Sequence, residues 1–330
     1  MRPLEPKGFK GFLITILVVI CVAVFGFASC DRSTATTSPS ASSQGEEASL
    51  TVISTVFASY DYARQIAGSH AQVRMLVPPG AEVHSFEPTP QDIMDIQKCD
   101  LFIYVGGDSD AWVASLLSSI DTSHTTIIKL MDCVPLSDED NSVLVNPTTG
   151  VQEDPESDEH VWTSIANAKL MCQAIDHTLK TIDPSNATDY EQNTQDYLRQ
   201  LDQLDAQYKQ VISTAKRNIL VFGDRFPFHY LAQEYGLKCY AAFPGCSTAT
   251  EPSAQTVAAL IDIIRKDKIP VVFYIELSNH SMADVIAQET GAKALLLHSC
   301  HNVTRQDFQQ GVTYLSIMEQ NLQNLKVALN

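Results

Sequence analysis

Side chains that could bind a divalent metal ion follow several apolar segments of this 330-residue chain. His84 stands between a Pro-Pro-Gly turn and a second proline-bounded stretch, which constrains the backbone around it. His298 directly follows the apolar run 294–297, and Asp224 and Glu276 come just beyond two other apolar runs. Neutral imidazole is the most common metal ligand in proteins, and several imidazoles with a carboxylate suit zinc. These residue types indicate either a metal site or, for His84 alone, an ordinary well-constrained loop.

A further histidine, His160, ends a strongly acidic stretch, 136–159, which contains few large apolar residues. We expect this stretch to be a mobile acidic loop that either has no role or gathers cations beside a site. His84, His160 and His298 are too far apart in the sequence to form a local motif, whereas most metal motifs have closely spaced ligands. Spacing alone therefore does not predict that they share one site.

The elements that would position these side chains alternate between short β-type runs and helical runs. This alternation predicts βαβ units around mainly parallel sheets, whose strands line a ligand crevice with their carboxyl ends. Strands are predicted at 50–53, 72–76 and 101–105 in the first half, and at 218–222, 238–242, 271–275 and 293–297 in the second. Between the halves, 186–215 lacks Gly and Pro and predicts one long helix, with a buried face at Tyr190, Tyr197, Leu201, Leu204 and Tyr208.

The predicted fold is α/β, with two lobes of mainly parallel sheet flanked by helices and one long rigid helix joining them. We expect a metal site in the cleft between the lobes. The predicted organisation is a lipoprotein signal peptide at 1–30, a flexible tether at 31–48, an N-terminal lobe at 49–184 that includes the acidic loop, a linking helix at 185–216 and a C-terminal lobe at 217–330.

The N-terminus has the features of an export signal. Basic residues precede an almost unbroken apolar run, 11–27, and small residues follow it. Cys30, directly after this run, is typical of a bacterial lipobox, in which the cysteine is lipidated and becomes the mature N-terminus. A plain signal peptide or an uncleaved anchor is the alternative. We expect an exported protein, anchored by its lipid to the outer face of the bacterial cytoplasmic membrane.

The charge of the chain argues against nucleic acid as a partner. Removal of residues 1–30 takes away three basic residues and one acidic residue, which leaves 19 Lys+Arg against 38 Asp+Glu and a net charge of −19. Nucleic-acid binding would need a basic face, whereas an acidic surface favours nearby cations. The six cysteines beyond Cys30 have no CxxC spacing, which disfavours a thiolate zinc site.

Five segments, in order, resemble one known family, the metal-binding lipoproteins of bacterial zinc and manganese ATP-binding-cassette importers (the cluster A-I substrate-binding proteins, also called zinc-uptake or adhesin-like lipoproteins). The resemblance covers nearly all of residues 49–330 and is strongest in the first two segments. The segments are PPGAEVHSFEPTPQDI, DEHVWTSIANAK, GDRFPFHYLAQEYGL, EPSAQTVAALIDIIRKDKIPVVFYIE and LLLHSC.

The resemblance implies metal ligands residue by residue. The family's ligand in the first segment matches His84, and its ligand before Val-Trp matches His160. The family's last ligand, commonly an Asp after a late strand, is replaced here by His298. The family's His-Asp-Ala-Phe segment has no counterpart histidine here, so the candidates for a fourth position are Asp224, Glu276, His301 or water.

Two further expectations concern the surroundings of the site. Glu276 could instead hydrogen-bond a ligand imidazole and set its tautomer. Cys246 and Cys300 could approach the cleft, where a disulfide between them would staple the second lobe. Three imidazoles favour zinc over manganese, which prefers oxygen ligands.

The function implied is a monomeric receptor that captures a divalent cation, Zn²⁺ or alternatively Mn²⁺, outside the membrane. It would deliver the ion to an ABC permease driven by its ATPase, with the membrane contacted through the N-terminal lipid. A manganese receptor with a secondary role in cell adhesion, and a zinc hydrolase, are the alternatives. The sequence contains no HExxH or GxSxG motif, and the resembling family is not catalytic, so we do not expect an enzyme.

Overall fold

Two four-stranded parallel sheets form the framework of the protein, as the alternating pattern predicts. The computed structural model describes residues 49–138, 143, 157–245 and 252–330. The first sheet contains β1 (Leu50–Ser54), β2 (Ala71–Met75), β3 (Leu101–Tyr104) and β4 (Thr126–Lys129), in the order β2-β1-β3-β4. The second contains β5 (Ile219–Phe226), β6 (Lys238–Pro244), β7 (Val271–Tyr274) and β8 (Lys293–Leu296), in the order β6-β5-β7-β8.

Helices flank both sheets, and two of them begin at capping residues shortly after His84 and His160. Thr89 and Asp92 form a reciprocal capping box at the start of the helix that follows the His84 loop. Ser164 caps the helix that follows His160, because its hydroxyl accepts from Asn167 N–H. The helices are α1 (Phe57–Ala67), α2 (Pro90–Ile96), α3 (Ala111–Ser119), α4 (Ile165–Ile182), α5 (Ala187–Ser213), α6 (His229–Tyr235), α7 (Ala254–Asp267), α8 (Ser281–Thr290), α9 (Arg305–Gln309) and α10 (Tyr314–Leu329).

The long helix predicted between the halves is α5, which has 27 residues. The five residues predicted to form its apolar face are all buried. The C-terminal helix α10 packs on α1 and α5 and also on strands of the second sheet. Tyr62 of α1 and Tyr314 of α10 meet edge to face with ring centroids 5.0 Å apart. One continuous apolar core therefore runs through both halves, which favours small local motions over wide opening of the cleft.

One irregularity in the second sheet lies at a predicted site residue. The predicted strand ends at Phe222, but β5 continues to Phe226 and pairs again with β6 at Arg225. The register between the two strands shifts between Phe222 and Arg225. Asp224 therefore lies inside β5 and not in the loop beyond it. Within the described ranges, no helix combines the length and apolar character needed to span a bilayer.

Candidate metal centre

Three histidine rings from distant parts of the chain converge with one carboxylate. The ring centroids of His84 and His301 lie 5.1 Å apart, those of His160 and His301 5.3 Å, and those of His84 and His160 6.1 Å. One candidate ligand atom from each histidine and from Glu159 lies within 4.8 Å of the other three. The three histidines line a cavity of ≈ 30 Å³, which has room for one ion. With bonds of about 2 Å, these four groups could hold a single cation after small side-chain shifts.

The loop that carries His84 is fastened to the second half of the chain. The side-chain amide of Asn302 donates to the backbone oxygens of Pro78 and Ala81, each at 2.9 Å. The Pro78 carbonyl also accepts from Ala81 N–H within the turn at 3.0 Å, so the Asn302 amide joins an already closed turn to the segment after β8. The position of His84 is therefore set jointly by its own loop and by the segment after β8.

A short hydrogen-bond relay sets the tautomer of His84. Its Nδ1 lies 2.9 Å from Ser109 Oγ, and the Ser109 hydroxyl donates to Glu159 Oε1. Because the hydroxyl proton goes to the carboxylate, Oγ accepts from Nδ1–H and the lone pair of Nε2 is left for a metal. Gly107 allows Glu159 to approach: its φ is +77°, and an added Cβ would lie 2.5 Å from the Cβ of Glu159.

His160 is fully buried and is oriented by the acidic residue two positions before it. Its Nδ1 lies 3.0 Å from Asp158 Oδ1, which also accepts from the His160 backbone N–H at 2.7 Å. A carboxylate can only accept, so Nδ1 carries the proton and Nε2 carries the lone pair. The ring packs on Trp162 at a centroid distance of 5.4 Å, and Gly245 approaches it so closely that an added Cβ would lie 3.1 Å from Cε1.

His301 projects from a turn that is anchored on both sides of the cleft. Its backbone N–H donates to Glu276 Oε1 at 3.2 Å, and its carbonyl accepts from Phe57 N–H at 3.0 Å. Its Nε2 is buried and has no hydrogen-bond partner. An unpaired buried nitrogen costs about 1–3 kcal/mol, which a bound cation would offset. The donor set and this nitrogen fit a metal ion.

Burial and neighbouring charges keep two of the candidate histidine ligands in their neutral, metal-binding form. Burial, followed by the nearby His160, lowers the pKa of His84 to about 4. Burial and the two neighbouring histidines lower the pKa of His301 well below its usual range. Burial also raises the pKa of Glu159, which favours its protonated form. At Asp158 burial is outweighed by the electrostatic attraction of His160 and the hydrogen bonds from it, so the pKa of Asp158 is lowered. His84 and His301 are therefore neutral at neutral pH, as metal binding requires.

Comparison with known proteins assigns this chain to a family. Residues 52–328 match the sequence profile of zinc-uptake complex component A, periplasmic. The chain belongs to this zinc-uptake family. The high-affinity zinc uptake system protein ZnuA of Bacillus subtilis is 31% identical over 316 residues, which are 95% of this chain and 97% of that protein. The zinc-binding lipoprotein AdcA of Streptococcus pneumoniae is 31% identical over 280 residues, which are 84% of this chain and 55% of AdcA. The chain thus spans about half the length of AdcA.

Solved structures of the same architecture include a metal-bound domain of AdcA. The Zn(II)-bound ZnuA-like domain of Streptococcus pneumoniae AdcA is 31% identical and has a TM-score of 0.71, with 85% of this chain and 99% of that domain covered. A mutant of the laminin-binding adhesin Lmb of Streptococcus agalactiae is 25% identical with a TM-score of 0.71, and the likeness covers 85% of this chain and 100% of Lmb. These likenesses confirm the two-sheet α/β fold expected of the zinc-uptake family.

His298 lies outside the cluster of candidate zinc ligands. The ring nitrogen Nδ1 of His298 accepts from Cys300 N–H at 3.0 Å and lies 3.5 Å from Glu276 Oε2. The group of candidate ligand atoms in the described ranges contains His301 in its place. In the turn after β8, Cys300 has a φ of +63° and its N–H takes Nδ1 of His298, whereas His301 lines the cavity.

Asp224 and Glu276 also lie outside the cluster and stabilise backbone instead. Asp224 Oδ2 accepts from Ile275 N–H at 3.3 Å and from the Ser278 hydroxyl at 2.5 Å. Glu276 accepts from the backbone N–H groups of Ser299 and His301. Glu276 therefore holds the backbone of the segment that carries His301, and these bonds do not orient a ligand imidazole ring.

The predictions for the cysteines and the acidic stretch have different outcomes. Cys300 is a free, buried thiol, and Cys246, the other half of the predicted disulfide, lies outside the described residues. Cys30, with the predicted signal and tether, also lies outside them. Most of the acidic stretch, 139–142 and 144–156, is likewise outside, but its last two residues, Asp158 and Glu159, are buried at the site.

Sequence reasoning missed the contribution of Glu159 because it was grouped with a solvated acidic run. The signal that could have distinguished it is its position directly before His160, in a segment that then turns apolar at Val161 and Trp162. Ser109 gave no sequence signal, because a lone serine after a strand is common in loops.

Proposed function

We propose that this protein captures Zn²⁺ outside the cytoplasm and hands it to an ABC-type permease, with His84, His160 and His301 as ligands and Glu159 as a fourth ligand or an orienting carboxylate. The observation that carries the proposal is the convergence of three imidazole rings on one small cavity, with the buried Nε2 of His301 unpartnered. Nitrogen-rich sites favour zinc over manganese, which leans towards oxygen ligands. Membership of a zinc-uptake family agrees with this choice of metal.

The protein acts as a binding receptor and not as an enzyme. Its partners are the permease and the ATPase of the importer, as expected for a component of a zinc-uptake complex. We propose further that Cys30 carries a lipid that holds the protein at the outer face of the membrane, and that the protein is a monomer. Because one apolar core joins both halves, release proceeds through local movement of a ligand-bearing loop.

The test is metal analysis of the full chain purified in mild detergent. We expect one zinc ion per chain for the wild type and loss of stoichiometric zinc in His84→Ala, His160→Ala and His301→Ala. His298→Ala is the matched control, because it removes a neighbouring imidazole from the same segment and should retain zinc. A wild-type protein that binds no zinc, or that takes up manganese in preference, would contradict the proposal.

A further inference from the structure

A positive side chain, Arg225, lies at the candidate metal centre, where a cation would be least expected. Arg225 lines the same cavity as His84, His160 and His301. It belongs to β5 of the second half, and its side chain is only 16% exposed. A guanidinium is charged at any physiological pH, so a divalent ion in this cavity would experience its repulsion.

The partner of Arg225 comes from the other half of the chain. Glu82 lies two residues before His84, and its two carboxylate oxygens each lie 3.4 Å from a terminal nitrogen of Arg225. The Glu82 side chain is 46% exposed, so water reaches it from the outside of the cavity. The pair therefore spans the cleft at the mouth of the cavity, and a shift of the His84 loop relative to β5 would separate it.

The two charges act on a cation in the cavity in opposite directions. Arg225 lines the cavity beside His84, His160 and His301, so its positive charge repels a bound cation. The Glu82 carboxylate lies 3.4 Å from the guanidinium and offsets that charge.

We propose that Glu82 and Arg225 form a charge latch that sets how tightly the site holds its cation. This inference rests on the proposed zinc-binding function. While the pair is closed, the carboxylate neutralises the guanidinium and the ion is retained. When the His84 loop moves, the pair opens, and the exposed charge of Arg225 lowers the affinity at the same moment as a ligand is withdrawn. The latch thus couples loop movement to release without a change in the ligands themselves.

A double-mutant cycle on zinc affinity tests the latch. The dissociation constant is measured by competition with a chromophoric chelator, using the full chain in mild detergent at neutral pH and low salt. We expect Arg225→Gln to bind zinc about tenfold more tightly, and Glu82→Gln to bind about tenfold more weakly and to release zinc faster. In the Arg225→Gln background, Glu82→Gln should change the affinity by less than about threefold, because no cation remains for it to unmask.

Controls separate the latch from general charge effects and from failure of the proposed function. Glu87→Gln removes an exposed acid from the same loop and should leave the affinity within about twofold of the wild type. Arg225→Lys keeps the charge and should stay close to the wild type, and thermal unfolding verifies that each variant is folded. Equal effects of Glu82→Gln in both backgrounds, or no tightening in Arg225→Gln, would overturn the latch. Absence of zinc binding by the wild type would instead refute the proposed function.

Discussion

His298 and His301 lie three residues apart on the segment after β8, yet only the ring of His301 packs against His84 and His160. The ring nitrogen Nδ1 of His298 is occupied by the backbone N–H of Cys300, which has a left-handed conformation. The turn therefore assigns the two histidines different roles: His298 helps to shape the turn, and His301 faces the cavity.

Replacement of each histidine should separate these roles. We expect His301→Ala to weaken zinc binding by about 100-fold or more, because it removes a coordinating nitrogen. His298→Ala should change zinc affinity by less than about fivefold and lower the melting temperature by a few degrees, because it removes only a hydrogen bond within the turn. Isothermal titration and thermal unfolding of the two variants measure both effects. The reverse order of affinities would restore His298 as the ligand.

The relay from His84 through Ser109 to Glu159 should be detectable in metal affinity. Ser109→Ala leaves Glu159 in place but removes the acceptor that sets the tautomer of His84, so we expect about tenfold weaker zinc binding. Glu159→Gln removes a charge next to the cation and should weaken zinc binding further, by about 100-fold. Competition titrations in parallel distinguish the two. If Ser109→Ala is the more damaging variant, Glu159 has no direct part in holding the ion.

The lowered pKa of His84 makes a prediction about the metal-free protein. Its pKa falls from 6.5 to about 4, so the unfolded chain takes up this proton at a higher pH than the native protein does. Above pH 6.5 His84 is neutral in both states and does not lower the free energy of unfolding. As the pH falls from 6.5 towards 4, the unfolded chain alone takes up the proton, so the free energy of unfolding decreases. His84→Gln cannot take up the proton. We expect the stability of the wild type relative to this variant to drop by up to about 3 kcal/mol across that interval.

Urea unfolding of both proteins at several pH values, with a chelator present, measures this difference. Subtraction removes the contributions of other buried groups, such as Asp110, whose pKa is raised to about 7 mainly by burial. A difference that stays constant from neutral pH to pH 4 would contradict the expected burial of a neutral His84.

The close approach of Gly245 to His160 predicts a different kind of defect. An added Cβ would lie 3.1 Å from both His160 Cε1 and the Phe226 carbonyl oxygen. Gly245→Ala should therefore shift the His160 ring, with about tenfold loss of zinc affinity and a stability cost of about 1–3 kcal/mol. Gly291→Ala is the matched control, because Gly291 has open space around it and a φ of +76°. The substitution should lower the free energy of unfolding by about 1 kcal/mol and leave the zinc affinity unchanged.

Several features of this protein were determined by local sequence pattern alone. Alternating β and helical runs predicted seven of the strands that the structure contains, and the apolar spacing of 186–215 predicted the buried face of α5. These predictions succeed because hydrophobic periodicity reports directly on which face of an element is buried. The resemblance of its motifs likewise indicates the family.

Only the tertiary structure decided which side chains meet at the site. Position in the sequence favours His298, which directly follows an apolar run, but packing places the ring of His301 against His84 and His160. Glu159 looks like a member of a solvated acidic run until packing buries it against Ser109 and Gly107. Arg225 and Glu82 are 143 positions apart, so no local pattern could pair them. Contacts between distant segments depend on how complete elements pack, which periodicity within one element does not encode.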